Sequence, residues 1–121
     1  MNEAARPWPK ELRVDPEKTT LNVVFDSGEH FALPAEYLRV ESPSAEVQGH
    51  SAAQKQIVAG KRRVKIVGVD SVGNYAARIR FDDGHDTGLY SWDYLHELGR
   101  NREKKWAAYL SALRSTGGRR E

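Results

Sequence analysis

Acidic side chains and a histidine crowd one short stretch of the sequence, the run Asp82-Asp83-Gly84-His85-Asp86. Neighbouring carboxylates raise the pKa of a histidine, and several of them together can hold a hard cation. Aspartate is also common in hairpin turns for a structural reason, because its side chain accepts hydrogen bonds from nearby backbone amides. We favour the structural interpretation and keep a contact with a ligand or partner as the alternative.

The other residue types limit the chemistry further. The chain contains no cysteine, which excludes disulfides, thiolate nucleophiles and cysteine-ligated zinc or iron–sulfur clusters within it. The other histidines, His30, His50 and His96, form no local ligand pair such as His-Glu-x-x-His. There is no Gly-x-Ser-x-Gly elbow and no glycine-rich phosphate loop. We therefore expect no catalytic activity and no cofactor.

Basic residues concentrate at the C-terminal end. Although the formal net charge is only +2, residues 99–121 carry 7 Lys/Arg against 2 Asp/Glu. Such a segment attracts phosphate, which makes nucleic-acid binding one hypothesis, but we favour a solvated helix, which is the more common explanation. No apolar run approaches the roughly 20 residues of a membrane span, and the first residues do not resemble a signal peptide. We expect a cytoplasmic protein.

Alternating apolar and polar residues predict the short strands that must position these groups. The predicted strands cover residues 11–14, 21–25, 29–33, 61–69 and 75–81. Two Asp-x-Gly turns, at Gly28 and Gly84, supply the positive φ that a tight hairpin requires. Between the two hairpins, residues 42–60 have no sustained period and predict an irregular connection.

A helix is predicted after each hairpin. A proline-led helical turn covers residues 34–39, and Ser91 is placed to cap a helix that Gly99 would end. Asn101 is placed to cap a last helix with an apolar stripe at helical spacing. The stripe consists of Trp106, Leu110 and Leu113. We expect it to pack on the sheet, with a partner as the alternative, and residues 117–118 to fray.

The two hairpin regions resemble each other. Phe25-Asp26-Ser27-Gly28 through Tyr37-Leu38 matches Phe81-Asp82-Asp83-Gly84 through Tyr94-Leu95. The predicted fold is a small, mainly antiparallel α+β domain built from two hairpin-plus-short-helix units, with a C-terminal helix. We expect residues 1–9 to form a flexible N-terminus, residues 10–100 the domain, and residues 101–121 a basic C-terminal helix and tail.

Three segments resemble a known family. They are Ala35-Glu36-Tyr37-Leu38-Arg39, Gly73-Asn74-Tyr75 and the run from Asp83-Gly84-His85 through Trp92-Asp93-Tyr94-Leu95. The chain is similar here to the gamma-butyrobetaine hydroxylase-like N-terminal domain, which also occurs as small stand-alone bacterial proteins of unknown function. In the hydroxylases a separate iron- and 2-oxoglutarate-dependent domain carries the activity, so the resemblance implies no hydroxylase activity for this domain.

The resemblance also implies a metal site and a process. Family members hold zinc with a Cys-x-Cys-x-x-Cys cluster and one histidine, which correspond here to Ser42, Ser44, Val47 and His85. The first three cannot supply a thiolate, so the resemblance does not predict zinc at this position. A similar domain occurs in P-loop proteins that assemble iron–sulfur clusters, where this cysteine-free chain would act only as a partner or adaptor.

Three functional hypotheses follow. The leading one is a non-catalytic binding or scaffold domain that contacts a protein partner through the turn at His85 and the neighbouring aromatic side chains. The predicted contact residues are Asp83, His85, Tyr90, Trp92 and Tyr94. The first alternative is a zinc- or iron-binding protein that uses His85 with Asp83, Asp86 or another histidine. The second is a weak nucleic-acid binder that uses the basic tail.

Overall fold

Two small sheets form the centre of the fold. The computed structural model describes residues 6–49 and 52–121. The first antiparallel sheet contains β1 (Pro9–Val14), β2 (Thr20–Phe25) and β3 (His30–Pro34), and the second contains β4 (Ile66–Val72), β5 (Ala76–Phe81) and β6 (Leu89–Ser91). The helices are α1 (Ala35–Val40), α2 (Ala45–Gln48), α3 (Trp92–Arg100) and α4 (Arg102–Ser115), with a short 3₁₀ turn at Ala52–Gln54. The predicted α+β fold is confirmed.

Apolar residues on one face of each sheet build a common core. In β2, Leu21, Val23 and Phe25 are fully buried, and the residues between them are partly exposed. β5 contributes Ile79 and Phe81 to the same cluster. Removing apolar surface from water is the main favourable term in folding, so this shared core holds the two sheets together.

The predicted similarity of the two units extends to their turns. Gly28 and Gly84 take φ values of 94° and 90°, a backbone conformation that side chains with a Cβ rarely adopt. The amide of Phe25 donates to the carbonyl of Glu29 at 2.8 Å, and the amide of Phe81 donates to the carbonyl of His85 at 3.0 Å. Each unit therefore reads strand, strand, Asp-x-Gly turn, strand and helix along the chain.

A reciprocal pair of tyrosine hydrogen bonds joins the two units. The Tyr37 hydroxyl of α1 donates to the carbonyl of Leu98 in α3 at 2.7 Å. The Tyr94 hydroxyl of α3 donates to the carbonyl of Glu41, just after α1, at 2.6 Å. Tyr37 and Tyr94 occupy matching positions of the two units, and each reaches the residue four positions after its counterpart. Each bond satisfies a carbonyl near a helix C-terminus, where intrahelical partners are lacking.

α3 begins as predicted but ends later. The Ser91 side chain accepts a hydrogen bond from the amide of Tyr94 at 3.1 Å, which confirms it as the cap. The helix continues through Gly99 to Arg100, so the prediction that Gly99 ends it is wrong. A Cβ at Gly99 would lie 2.4 Å from the Phe31 ring. Glycine is required there by a close contact between α3 and β3 and not by a left-handed backbone.

α4 packs within the chain. Tyr109 and Leu113 are buried against Val40 of α1, and the partly buried Trp106 and Leu110 of the predicted stripe pack on this cluster. The stripe thus packs within the chain, on α1, and its Trp106 also packs against the core that the two sheets share. Asn101 precedes the helix, but its side chain makes no capping hydrogen bond. No helix in residues 6–49 and 52–121 is long and apolar enough to cross a membrane.

The C-terminal tail is docked where fraying was predicted. The amides of Gly60 and Arg62 donate to the carbonyls of Arg119 and Arg120 at 2.8 and 2.9 Å. The Arg120 guanidinium also binds both carboxylate oxygens of the buried Glu36 at 2.7 and 2.9 Å. A bidentate pair of this kind is geometrically specific. The tail therefore returns to α1.

The chain before β1 is attached to the first hairpin. β1 begins at Pro9, and the Trp8 carbonyl accepts a hydrogen bond from the amide of Asp26 at 2.8 Å. Trp8 is therefore attached to the first hairpin turn. Residues 1–5 of the predicted flexible segment lie outside the described residues.

We expect the variants Tyr37→Phe and Tyr94→Phe each to lower the free energy of unfolding by about 1–3 kcal/mol, because each leaves a carbonyl unsatisfied while keeping the ring. Urea denaturation measures this. Tyr75→Phe is the matched control, because Tyr75 is exposed and should change stability by less than about 0.5 kcal/mol. Equal stability of all three variants would show that the reciprocal bonds do not join the units.

Candidate functional site

The turn around His85 is held by its own aspartates, as the structural interpretation predicts. Asp83 accepts a hydrogen bond from the amide of His85 at 3.0 Å, and Asp82 accepts one from the amide of Lys65 at 3.0 Å. The second bond ties the turn to the segment before β4. Both carboxylates therefore fix backbone amides.

The His85 ring lies inward among polar side chains and is only 8% exposed. Its Nε2 is 2.8 Å from the Ser42 hydroxyl and 3.4 Å from the Ser44 hydroxyl. Its Nδ1 is 3.3 Å from a carboxylate oxygen of Glu46. The structure thus brings His85 together with Ser42 and Ser44, two of the three residues that correspond to the zinc-binding cysteines of the similar family. The third, Val47, is buried.

Local charges set the protonation of this turn. Burial, together with the Arg39 charge, lowers the pKa of His85, and the carboxylates of Glu46, Asp83 and Asp86 only partly oppose this. The ring is therefore neutral at pH 7. Burial alone would raise the pKa of Asp83, but hydrogen bonds from Lys61, the His85 amide and Arg39 outweigh it and lower that pKa to about 2.

The contacts from Ser42 to His85 and from His85 to Glu46 follow the pattern of a hydrolytic triad, but the serine and the histidine are buried. Ser42 has no exposed surface, so its hydroxyl cannot reach a substrate carbonyl in this conformation. The donor set does not fit zinc either, because hydroxyl groups and a valine replace thiolates. Across the described parts of the chain, no three histidine, aspartate or glutamate side chains converge in a way that could hold a metal ion.

The other histidines do not join this cluster. His30 Nε2 contacts Asn22 on the first sheet at 3.1 Å, and His96 Nε2 contacts Glu29 at 2.7 Å. His50 lies outside the described residues. His85 is therefore without a second histidine among the residues described.

The predicted contact residues face different environments. Tyr90 is fully buried and donates to the carbonyl of Leu38 at 2.6 Å, and the Tyr94 hydroxyl is used between the units. The Asp83 side chain is engaged by Arg39 at 2.8 Å and by Lys61 at 2.7 Å. Trp92, the third aromatic residue predicted for partner contact, lines an open pocket.

Two further aromatic residues, Trp8 and Tyr75, line that pocket with Trp92. The Trp8 and Trp92 rings meet edge-on, with 6.4 Å between their centroids. Trp92 is fixed by its indole N–H, which donates to the carbonyl of Asn74 at 2.9 Å. Trp8 and Tyr75 are 48% and 55% exposed. We call these three residues and the open space of about 640 Å³ beside them the aromatic pocket.

Sequence patterns did not identify Trp8 and Tyr75 as contact residues. Strand alternation places Tyr75 on the inner face with Ala77 and Ile79, but β5 begins only at Ala76. Tyr75 belongs to the turn after Gly73, which has a φ of 54° and lets the chain reverse there. Trp8, between two prolines, falls in the segment predicted to be flexible. That Pro-Trp-Pro sequence was the available signal, since its φ angles are restricted at both prolines.

Comparisons with known proteins agree with this fold. The sequence profile described as gamma-butyrobetaine hydroxylase-like, N-terminal, matches residues 12–96. Two solution structures determined by NMR are similar to the chain, with 43% and 42% identity and TM-scores of 0.84 and 0.83. The first comparison covers 97% of this chain and 92% of the other, and the second covers 100% and 90%.

A crystal structure from Acidithiobacillus ferrooxidans is also similar, with 38% identity and a TM-score of 0.63 over 75% of this chain and 91% of the other. It is described as a protein of unknown function in the DUF971 family. No curated protein matches the chain. The comparisons thus extend the family resemblance to whole structures without supplying an activity.

The depressed pKa of Asp83 predicts a pH-dependent contribution to stability. The pKa of Asp83 is lower in the folded chain than in the unfolded chain, so its ionised carboxylate stabilises the fold at pH values above about 4. This contribution is lost as the pH falls from about 4 to about 2. We expect Asp83→Asn to lower the free energy of unfolding by about 2 kcal/mol at pH 7. The difference between variant and parent should shrink towards zero near pH 2, which denaturation at several pH values measures.

Asp82→Asn is the matched control, because the Asp82 carboxylate forms no ion pair among the described residues. The amide oxygen of the variant can still accept the hydrogen bond from the Lys65 amide. Its effect on the free energy of unfolding at pH 7 should be less than about 0.5 kcal/mol. A difference between Asp83→Asn and its parent that stays constant from pH 2 to pH 7 would contradict the assigned charge interactions.

Proposed function

The chain belongs to the gamma-butyrobetaine hydroxylase-like N-terminal domain family, and we propose that it is a non-catalytic binding domain that contacts a protein partner through the aromatic pocket. The observation that carries this proposal is that three large aromatic rings line one open pocket, with Trp8 and Tyr75 exposed and Trp92 partly buried. Tryptophan and tyrosine are enriched among the residues that contribute most to protein–protein binding.

The aromatic pocket is also unusual within this molecule. Among the described residues, four large hydrophobic side chains are exposed, and Trp8 and Tyr75 are two of them. The other two, Val67 and Leu89, do not line the pocket. Trp92 is anchored through its ring nitrogen, so a partner would meet a preorganised surface and lose less side-chain entropy on binding.

A binding role is preferred to catalysis because the side-chain arrangement that most resembles a catalytic site has no accessible nucleophile. His85 contacts Ser42 through one ring nitrogen and Glu46 through the other, and the serine is fully buried. Metal binding, the first alternative, gains no support from the donor atoms around His85. It would be favoured if purified protein contained stoichiometric zinc or iron that is lost in His85→Ala.

The nucleic-acid alternative is weakened by the docked tail. Arg120 is paired with Glu36 and also lies 5.4 Å from the centre of the Trp106 ring, so it is not a free cation for phosphate. Removing residues 100–121 would not test the idea cleanly, because Tyr109 and Leu113 are buried. Arg119→Ala and Arg114→Ala, which change exposed side chains, are the appropriate variants for a salt-dependent binding assay.

For the biological process, we propose an adaptor role in iron–sulfur cluster assembly, supported only by the family resemblance. In that role the chain supplies no thiolate to a cluster, because it contains no cysteine. The partner would carry the cluster ligands or the nucleotide-binding activity. Identification of the protein bound at the aromatic pocket therefore tests both the proposed process and the proposed contact surface.

Photo-cross-linking in cells tests the proposed surface. With p-benzoylphenylalanine in place of Tyr75, we expect a cross-link to one defined protein, and Trp8→Ala in the same chain should lower its yield about tenfold. The same amino acid at Val67, which is 48% exposed and lies outside the pocket, is the matched control and should not capture that protein. Equal capture from both positions, or capture unaffected by Trp8→Ala, would contradict the proposal.

A further inference from the structure

Carboxylates accompany the rings of the aromatic pocket. Asp26 and Asp93 both line it, and the cation beside them is Arg6. The lining therefore carries a formal charge of −1, although the whole chain carries +2. An aromatic face attracts a cation through its quadrupole, and a carboxylate beside it adds a hydrogen-bonding partner for the same cation.

The two carboxylates are not equally occupied. The Asp93 carboxylate accepts a hydrogen bond from the Arg6 guanidinium at 2.6 Å. The side chain of Arg6 is 76% exposed and that of Asp93 is 54% exposed. Ion pairs as exposed as this contribute little stability and exchange readily. The Asp26 carboxylate has no cation partner within the described part of the chain, although its backbone amide is fixed by the carbonyl of Trp8. A held backbone thus presents an unpaired acceptor beside the rings.

Resting on the proposed function, we propose that the partner presents an arginine side chain that stacks in the aromatic pocket and ends on Asp26. The pocket already holds one guanidinium of this chain, that of Arg6, on the neighbouring Asp93. Arginine suits the site better than lysine, because its planar group stacks on aromatic rings and binds carboxylates with two parallel hydrogen bonds. The matching segment of the partner is therefore basic.

A titration followed by NMR tests this directly. A blocked Gly-Arg-Arg-Gly peptide should shift the indole N–H signals of Trp8 and Trp92 in a saturable manner at low salt. The same peptide with citrulline, which keeps the shape without the charge, should shift them negligibly. A lysine peptide should bind more weakly than the arginine peptide. The Trp106 indole, which contacts Arg120, is the internal control and should not move.

Asp26→Asn should weaken binding of the arginine peptide about fivefold. Its matched control is Asp82→Asn, because Asp82 holds the equivalent turn position of the second unit and does not line the pocket. Equal binding of the citrulline peptide, no effect of Asp26→Asn, or a shift of Trp106 would overturn the inference. Concentration-dependent shifts of Trp8 and Trp92 without peptide would also overturn it, by identifying a second copy of the chain as the occupant.

The outcomes separate this inference from the proposed function. If Trp8→Ala abolishes capture of the cross-linked partner but the arginine peptide does not bind, the binding surface stands and the basic segment is wrong. If the peptide binds as described but capture is unaffected by Trp8→Ala, the pocket recognises guanidinium groups and the partner uses another surface. The second result overturns both the proposed function and the partner assignment.

Discussion

The pair of tyrosine–carbonyl bonds between α1 and α3 is the constraint on which the rest of the structure depends. Each unit alone is a small sheet with one helix and has too little apolar surface to form a stable domain. Tyr37 and Tyr94 place the C-terminal end of each helix against the tyrosine of the other, and they satisfy two carbonyls that packing would otherwise leave without partners. The two units are therefore similar in sequence at the positions that join them, because each unit supplies the tyrosine hydroxyl that donates to a carbonyl of the other.

The polar cluster around His85 and the aromatic pocket lie in different environments of this fold. In the second hairpin the His85 ring lies inward, against α2 and the segment before it. The start of α3 lies instead beside the turn between β4 and β5, and the chain before β1 reaches the same place. Trp8, Tyr75 and Trp92 therefore meet although they are distant in sequence, and they remain open to solvent where the His85 ring is not.

Local signals were sufficient for the parts of the fold that neighbouring residues determine. The Asp-x-Gly turns, the cap at Ser91 and the correspondence between the units depend on a few adjacent residues, and the structure contains all three. Features that depend on distant contacts were not predictable in the same way. Gly99 fits beneath Phe31, and Arg120 crosses the molecule to Glu36, and neither contact leaves a periodic pattern in the sequence. The aromatic pocket is of the same kind, because it combines a turn, a helix start and a proline-flanked tryptophan.

Hydrogen–deuterium exchange of the chain, alone and bound to the protein captured at Tyr75, tests the central claim that the aromatic pocket is the contact surface. Exchange should slow in residues 6–8, 73–75 and 91–93, because these backbone segments carry the pocket, and should stay unchanged in residues 82–88 around His85. Protection confined to residues 82–88 or to the C-terminal tail, with the pocket segments exchanging as in the free chain, would contradict the account.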